Sequence, residues 1–216
     1  MSMRLVLPRL YVILDAALLA SSERECVQNL ADSGVRLLQY RNKSAPARRI
    51  YDTSRELAEL LRPRGVSLIV NDRADVAALA GANGVHVGQE DLGVEQARAV
   101  IGDSRWIGVS THNLEQFERA TGTSADYIAV GPVFSTATKT NPDPVVGIDF
   151  IRRVRALTEK PIVAIGGITL ERAAEVIEAG ADSVAVISDI LRAPDPGARA
   201  SQYIHVLEAA NHAAGV

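Results

Sequence analysis

Short runs of apolar, mostly β-branched residues alternate with longer amphipathic stretches along the whole chain, and this alternation constrains the fold most. The runs predict strands of a parallel sheet, which carry few polar residues because both of their faces are covered. Between the runs, apolar residues return at helical spacing, as at Ile50, Leu57 and Leu61. The predicted strands are residues 10–14, 35–39, 66–70, 84–87, 106–109, 127–130, 161–165 and 183–187.

Eight strand–helix units in 216 residues leave about 27 residues for each unit, which is enough for a strand, a helix and two short loops. The sequence therefore favours an α/β protein with a single (β/α)8 TIM barrel of parallel strands over residues 1–216. No low-complexity linker or shift in composition marks a second domain. An open doubly wound sheet is the structural alternative, because periodicity does not reveal whether a sheet closes.

Composition and charge limit the partners. The chain is 47% hydrophobic and 23% charged with a net charge of −3, which is typical of a globular protein and provides no field to hold nucleic acid or an anionic membrane. We therefore expect small-molecule ligands, no nucleic acid and no membrane. The helical exterior leaves room for association into a homo-oligomer.

Two features of the first 26 residues bear on localisation. An apolar run over residues 10–20 resembles part of a signal peptide, but Asp15 interrupts it. The single cysteine, Cys26, lies among helix-forming residues and is predicted to be a buried structural thiol in a reducing compartment. We predict a cytoplasmic protein.

In a parallel barrel the reactive groups gather where strands end, so the residues after each apolar run are the candidates. Gln39, Arg41 and Lys43 end the second run and alternate onto one side. An amide and two cations suit a polyanion, since arginine and lysine both bind phosphate oxygens. A solvated turn is the plainer interpretation.

Two carboxylates end the next two strands. Asp72 and Asp91 could together hold Mg²⁺, which takes few protein oxygens and completes its shell with water and substrate phosphates. Asp72 could instead cap a helix that begins near Ala74. His86 alternates with valines and is interpreted as an inward-facing core residue rather than a ligand.

Hydroxyls and a further lysine follow the fifth and sixth strands. Ser110 ends the fifth strand without the G-x-S-x-G pattern of a nucleophilic serine. Thr136, Thr138 and Lys139 lie in a long segment, residues 131–147, whose prolines oppose a helix. We interpret this segment as a mobile active-site loop, with an ordinary surface loop as the alternative.

The ends of the seventh and eighth strands predict a phosphate site. Gly166 and Gly167 end the seventh and Ile187 and Ser188 the eighth, where barrels commonly bind a phosphomonoester through backbone N–H groups. A bare turn is the alternative. Two anion sites at one mouth suit two phosphorylated substrates, and a diphosphate beside a carboxylate-held Mg²⁺ is a leaving group whose charge is being neutralised.

Taken together and in order, these strand-end segments closely resemble the thiamine-phosphate synthase family over nearly the whole chain. The segments are Gln39-Tyr40-Arg41-Asn42-Lys43, Asn71-Asp72-Arg73, Gly84-Val85-His86-Val87-Gly88-Gln89-Glu90-Asp91, Gly108-Val109-Ser110, Thr136-Ala137-Thr138-Lys139 and Ala164-Ile165-Gly166-Gly167-Ile168. The resemblance implies a (β/α)8 transferase that requires Mg²⁺. It would join 4-amino-2-methyl-5-hydroxymethylpyrimidine diphosphate to 4-methyl-5-(2-phosphoethyl)thiazole, or its carboxylated form, and release pyrophosphate.

The resemblance also implies roles for individual residues. Those that would hold the pyrimidine diphosphate are Gln39, Arg41, Lys43, Asn71, Ser110 and Lys139, of which Arg41, Lys43, Ser110 and Lys139 would be catalytic. The metal ligands would be Asp72 and Asp91. The thiazole phosphate would be bound by Thr136, Thr138, Gly167, Ile187 and Ser188.

This chain departs from the expected pattern at Tyr40, at Ser135 and in a proline-rich stretch over residues 140–146. These changes leave the polar positions intact and bear on loop geometry and substrate preference. Two rival functions stay open. One is a metal-independent thiazole tautomerase on the same barrel, with His112 as a proton carrier, and the other is a non-catalytic sensor of a phosphorylated ligand.

Overall fold

Eight parallel strands form a closed barrel in a computed structural model that describes residues 5–136 and 143–213. Each strand pairs with its neighbour in the chain, and the eighth pairs with the first. The strands are β1 (Leu10–Asp15), β2 (Leu37–Arg41), β3 (Ser67–Asn71), β4 (Gly84–Val87), β5 (Trp106–Thr111), β6 (Tyr127–Val130), β7 (Ile162–Ile165) and β8 (Ser183–Val186). Closure confirms the predicted barrel and excludes the open doubly wound sheet.

Helices cover the outside of the barrel and connect the strands. Within the described ranges they are α1 (Glu23–Asp32), α2 (Ala47–Leu61), α3 (Ala74–Leu79), α4 (Val94–Ile101), α5 (Leu114–Thr121), α6 (Ile148–Arg155), α7 (Leu170–Glu178), α8 (Ser188–Leu191) and α9 (Pro196–Ala213). Two short 3₁₀ helices lie at Ala16–Leu18 and Arg62–Arg64. No helix in the described part of the chain is long and apolar enough to cross a membrane.

Strand β2 differs most from its prediction, because it lies two residues later than the apolar run that suggested it. The amide of Val35 donates to the carbonyl of Leu30 at the end of α1, and Gly34 between them has a φ of +98°. Val35 therefore belongs to the turn that closes the helix. Consequently Arg41, expected beyond the end of the strand, lies within it together with Gln39.

The apolar residues form two layers on either side of the barrel wall. Tyr11 and Ile13 of β1 point into the barrel interior, whereas Leu10, Val12 and Leu14 pack against the surrounding helices. This alternation is the period of two expected of a strand that is buried on both faces. Cys26 lies buried in the helical layer, as predicted, and burial raises the pKa of its thiol to about 11.

Three strands are each preceded by an alanine and then an acid or amide. The side chain of this acid or amide joins two neighbouring strands at the amino-terminal end of the barrel. Asn83, Asp126 and Asp182 each accept a backbone N–H from the start of the preceding strand, at 2.7–2.9 Å. Arginines also donate to the two carboxylates, Arg98 to Asp126 and Arg155 to Asp182. These contacts set the register at which the strands begin.

Asp182→Ala is expected to lower the free energy of unfolding by about 1–3 kcal/mol, because it leaves the buried amide of Ile162 without its acceptor. Thermal or urea unfolding measures the change. Asp149→Ala is the matched control. It removes a fully solvated carboxylate paired with Arg152, so a loss under about 0.5 kcal/mol is expected. Equal losses in the two variants would contradict the stabilising role of Asp182.

Candidate active site

The predicted site residues within the described ranges all lie at the carboxyl ends of the strands. Because the strands are parallel and the barrel is closed, these ends form one ring around a single mouth. Gln39, Arg41, Asn71 and Ser110 are strand residues, and Lys43, Asp72, Asp91, Thr136, Gly167, Ile187 and Ser188 follow strands. Two further predicted residues, Thr138 and Lys139, lie outside the residues that the structure describes.

Arg41 is held at the mouth by a carboxylate that the sequence analysis did not include in the site. Its guanidinium donates to Asp15, which faces it across the β1–β2 register and is 4% exposed. A buried carboxylate paired with arginine fixes the guanidinium and offsets part of its charge. Asp15 ends the first strand, so the rule applied to the other strand ends would have found it.

Three charged side chains form a cluster in the turns that follow β2, β3 and β4. Lys43 Nζ lies 2.5 Å from Asp72 Oδ2, and Asp91 lies close enough to Asp72 to affect its pKa. Burial and the nearby Asp91 raise the pKa of Asp72, while Lys43 acts in the opposite direction. Asp91 in turn accepts the N–H of Gly88 at 2.7 Å.

The alternative interpretation of Asp72 as a helix cap is wrong. The residue at the cap position of helix α3 is Arg73, and the helix has no side-chain cap hydrogen bond. Asp72 has a φ of +62°, in the left-handed region, and its carboxylate is paired with Lys43 rather than the helix. The backbone at this residue thus departs from the extended geometry of a side-chain cap.

Asp72 and Asp91 could hold a divalent metal together with a substrate. No group of three or more His, Cys, Asp or Glu side chains suited to a metal occurs in residues 5–136 and 143–213. Two carboxylates are nevertheless what Mg²⁺ commonly takes from a protein when phosphate oxygens and water supply the rest. The donor set therefore fits Mg²⁺ bound through a phosphorylated ligand and does not form a complete protein cage.

A chain of hydrogen bonds crosses the barrel interior beneath the mouth. Gln39 Nε2 donates to Tyr11 Oη at 2.8 Å, and this hydroxyl lies 3.1 Å from Tyr127 Oη. Tyr127 lies 3.1 Å from His86 Nδ1, and His86 Nε2 lies 2.9 Å from Ser110 Oγ. The chain joins two predicted substrate-binding residues, Gln39 and Ser110, on different strands.

His86 is an interior residue, as predicted, and burial lowers its pKa to about 4. It is therefore neutral at physiological pH. Close packing surrounds this chain. A Cβ at Gly108 would lie 2.0 Å from the ring of Tyr127, so a glycine is required there for the phenol to reach His86.

The segment after β6 packs directly against the two glycines after β7. Phe134 donates its N–H to the carbonyl of Gly166 at 2.9 Å. Gly167 has a φ of +65°, and a Cβ there would approach the carbonyl oxygen of Ser135 to 2.4 Å. This close approach requires glycine and places the segment leading to Thr136 beside Gly167.

Tyr203 of α9 connects the two turns predicted to bind the thiazole phosphate. Its hydroxyl lies 3.3 Å from the carbonyl oxygen of Ile168 and 2.6 Å from Asp189 Oδ2. These residues directly follow Gly167 and Ser188, so one buried phenol joins the two turns. The sequence analysis missed Tyr203, because its helical spacing marks it as a core residue and nothing more.

Both ring nitrogens of His112 face partners at the base of the long loop. Nδ1 lies 2.6 Å from the carbonyl oxygen of Gly131, and Nε2 lies 3.6 Å from Asp143 Oδ2. Only Nδ1 is within hydrogen-bond distance of its partner, so the ring is anchored at the base of the loop through that nitrogen.

Comparison with known proteins yields a consistent set of relatives. The chain matches the family described as thiamine monophosphate synthase over residues 10–190. It is 51% identical to the thiamine-phosphate synthase of Koribacter versatilis over 212 residues, 96% of this chain and 99% of that protein. The thiamine-phosphate synthase of Chloroflexus aurantiacus is 45% identical over 195 residues, 90% of each chain. Among solved structures, a thiamine phosphate pyrophosphorylase from Pyrococcus furiosus superposes with a TM-score of 0.86 at 34% identity, covering 94% of this chain and 96% of that one.

Proposed function

This chain belongs to the thiamine monophosphate synthase family, and we propose that it joins a pyrimidine diphosphate to a thiazole phosphate in an Mg²⁺-dependent reaction. Membership makes it a transferase of thiamine biosynthesis. The proposed reaction moves the 4-amino-2-methylpyrimidin-5-ylmethyl group from its diphosphate to the nitrogen of 4-methyl-5-(2-phosphoethyl)thiazole or its carboxylate. The observation that carries the proposal is a single barrel mouth with a cluster of cations and carboxylates in one part and a glycine-lined turn in another.

The diphosphate is assigned to the side of the mouth formed by β2 to β5. Arg41 and Lys43 supply positive charge there, Gln39 and Asn71 supply amides, and Ser110 supplies a hydroxyl. Lys139 is assigned to the same substrate by its motif. Arginine and lysine stabilise the negative charge that develops on departing diphosphate, which favours cleavage of the carbon–oxygen bond.

Asp72 and Asp91 are the proposed ligands of the metal. When bound, Mg²⁺ would supply charge neutralisation to the leaving diphosphate. Lys43 pairs with Asp72, and in the proposed complex its ammonium group would turn from that carboxylate to the diphosphate.

The bond between the pyrimidine methylene carbon and oxygen breaks first in the proposed mechanism. The electron pair leaves with pyrophosphate, and the amino group of the pyrimidine donates electrons to the resulting methylene cation. The lone pair of the thiazole nitrogen then forms the new carbon–nitrogen bond. That nitrogen carries no proton to lose, so the step needs no general base. Where the thiazole carries a carboxylate, that group leaves as carbon dioxide.

The thiazole phosphate is assigned to the turns after β6, β7 and β8. Gly167 allows close approach of the backbone, and Ser188 supplies a hydroxyl, with Ile187 between β8 and α8. Thr136 and Thr138 are assigned to the same phosphate by their match to the family motif. The Tyr203 bridge between the two turns supports a common role for them.

A paired assay tests the proposed function. The protein is incubated with both substrates in Mg²⁺ or in EDTA, and thiamine phosphate and pyrophosphate are followed together. Equal amounts of both products in Mg²⁺ and none in EDTA are expected. Folded protein that yields no product in either condition would refute the synthase, and isomerisation of the thiazole carboxylate phosphate alone would then support the tautomerase. Binding of ligand without turnover would support a sensor.

Ser188→Glu is expected to raise the KM for the thiazole phosphate at least about tenfold, because a carboxylate at the phosphate turn repels the ligand. The KM for the pyrimidine diphosphate should change little. Steady-state kinetics with each substrate varied in turn measures both values. Ser104→Glu makes the same change in an exposed loop between α4 and β5, and it should leave both values as in the wild type. A thiazole KM that stays unchanged in folded Ser188→Glu would contradict the assigned site.

A further inference from the structure

The hydrogen-bond chain from Gln39 to Ser110 contains three side chains with no direct part in the mechanism above. Tyr11 is 1% exposed and Tyr127 is fully buried, and His86 is 8% exposed. Burial raises the pKa values of both phenols, so both keep their hydroxyl hydrogens. A neutral imidazole between two hydroxyls has one donor and one acceptor nitrogen, so the direction of the chain sets its tautomer.

The direction of the chain follows from the hydrogens that each group carries. The amide nitrogen of Gln39 is only a donor, so Tyr11 Oη accepts from it. The arrangement that gives both phenol hydrogens an acceptor has Tyr11 donating to Tyr127 Oη, its partner at 3.1 Å. In that arrangement Tyr127 donates to His86 Nδ1, 3.1 Å away. Every hydroxyl hydrogen along this path is used in a hydrogen bond.

His86 consequently carries its proton on Nε2 and donates it to Ser110 Oγ, 2.9 Å away. An oxygen that accepts this bond keeps its hydroxyl hydrogen for a different acceptor. Ser110 is half-buried at the end of β5, and its backbone carbonyl accepts from Gln89. The hydroxyl hydrogen is therefore available to a ligand in the barrel mouth.

We propose that Tyr11, Tyr127 and His86 are positioning residues that hold Ser110 as a hydrogen-bond donor towards the pyrimidine diphosphate. The assignment of Ser110 to that substrate rests on the proposed function, whereas the tautomer of His86 does not. A donor aimed at an oxygen that gains negative charge stabilises the departing diphosphate more than the bound substrate, so the chain acts on kcat. It also links the two side chains, Gln39 and Ser110, that approach this substrate from β2 and β5.

The tautomer is measured by nitrogen NMR on the ¹⁵N-labelled full chain without substrates. A two-bond proton–nitrogen correlation distinguishes protonated from unprotonated ring nitrogens, and His86→Gln identifies the His86 signals by their loss. An unprotonated Nδ1 and a protonated Nε2 are expected near neutral pH. A protonated Nδ1 would overturn the inference, because the chain would then run from Ser110 to Gln39 and Ser110 would donate to the imidazole.

Two matched variants test whether the phenols set the tautomer. Tyr127→Phe removes the hydroxyl that donates to Nδ1, and the two His86 ring signals are expected to shift towards each other as the second tautomer becomes populated. Tyr11→Phe removes a phenol one step further away and leaves the hydroxyl of Tyr127 in place. Its His86 signals should shift in the same direction but less, because Tyr127 keeps a hydroxyl that can still donate to Nδ1. Identical His86 signals in Tyr127→Phe and wild type would overturn the role of Tyr127.

Kinetics separate this positioning role from a purely structural one. Tyr127→Phe is expected to lower kcat about tenfold, the effect of one misdirected hydrogen bond, with little change in the KM for the thiazole phosphate. His86→Gln places an amide that can still donate to Ser110 and should retain more activity than His86→Leu, which cannot donate. Equal kcat values for the glutamine and leucine variants would overturn the proposal. A wild type without synthase activity would refute the proposed function alone, since the NMR result is obtained without substrates.

Discussion

Asp91→Asn is expected to lower turnover at saturating substrates by about a hundredfold or more, because charge stabilisation by a catalytic metal contributes several kcal/mol to the transition state. Asparagine keeps an oxygen that can accept the N–H of Gly88, so the turn after β4 should persist. The substitution removes one of the two carboxylates proposed as metal ligands, and Asp72 alone should hold Mg²⁺ poorly. Turnover measured against Mg²⁺ concentration should show a much higher half-saturating value.

A binding measurement separates metal loss from other causes of low activity. Calorimetric titration of Mg²⁺ in the presence of pyrophosphate should give a clear binding signal for the wild type and a much weaker one for Asp91→Asn. Asp75→Asn is the matched control, because the carboxylate of Asp75, on the nearby helix α3, is paired with Arg73 and has no assigned part in the site. It should bind and turn over as the wild type does. Wild-type turnover by Asp91→Asn at the same Mg²⁺ concentration would refute the metal assignment.

The strand pattern was predictable from the sequence, because a strand covered on both faces must be apolar over its whole length. The prediction located β4 and β6 at their observed residues. It was least accurate at β2, where Val35 is apolar but its amide completes the end of α1. The hydrophobicity of a residue indicates that it is buried but not which backbone groups it bonds to. The apolar pattern therefore assigned Val35 to the strand although its amide belongs to the end of the helix.

The positions of the site residues in the ring of strand ends also followed from the pattern, since parallel strands bring their carboxyl ends to one edge. The hydrogen-bond and ion-pair partners of these residues could not be predicted in this way. Asp15 faces Arg41 because of the register of β1 against β2, and Tyr127 meets Tyr11 and His86 because the barrel closes. Register and closure are properties of the whole sheet, so contacts across the interior are not encoded in local spacing. Tyr203 belongs to the same class, because a buried phenol on a helix looks like core until its hydroxyl partners are known.

The neutral state of His86 is expected to make the stability of the protein fall with acid by about 3 kcal/mol. An imidazole in an unfolded chain titrates near 6.5, whereas burial lowers the pKa of His86 in the fold to about 4. Between these values the unfolded state binds more protons than the folded state, so the free energy of unfolding decreases as the pH falls. The contribution is complete above about pH 6.5 and is lost as the pH falls through about 4.

Urea unfolding at a series of pH values from 7 to 4, for the wild type and for His86→Gln, measures this contribution. Carboxylates also titrate in this range, but they are common to both proteins, so the difference between the two curves isolates the imidazole. Between pH 7 and pH 4 the free energy of unfolding should fall by about 3 kcal/mol more in the wild type than in the variant. His205→Gln, which replaces an exposed histidine on α9, should follow the wild-type curve.

Parallel curves for wild type and His86→Gln would show that the imidazole becomes charged within the fold without penalty. The interior hydrogen-bond chain would then have to accommodate a second proton on His86, and the fixed tautomer on which Ser110 depends would not be maintained in acid.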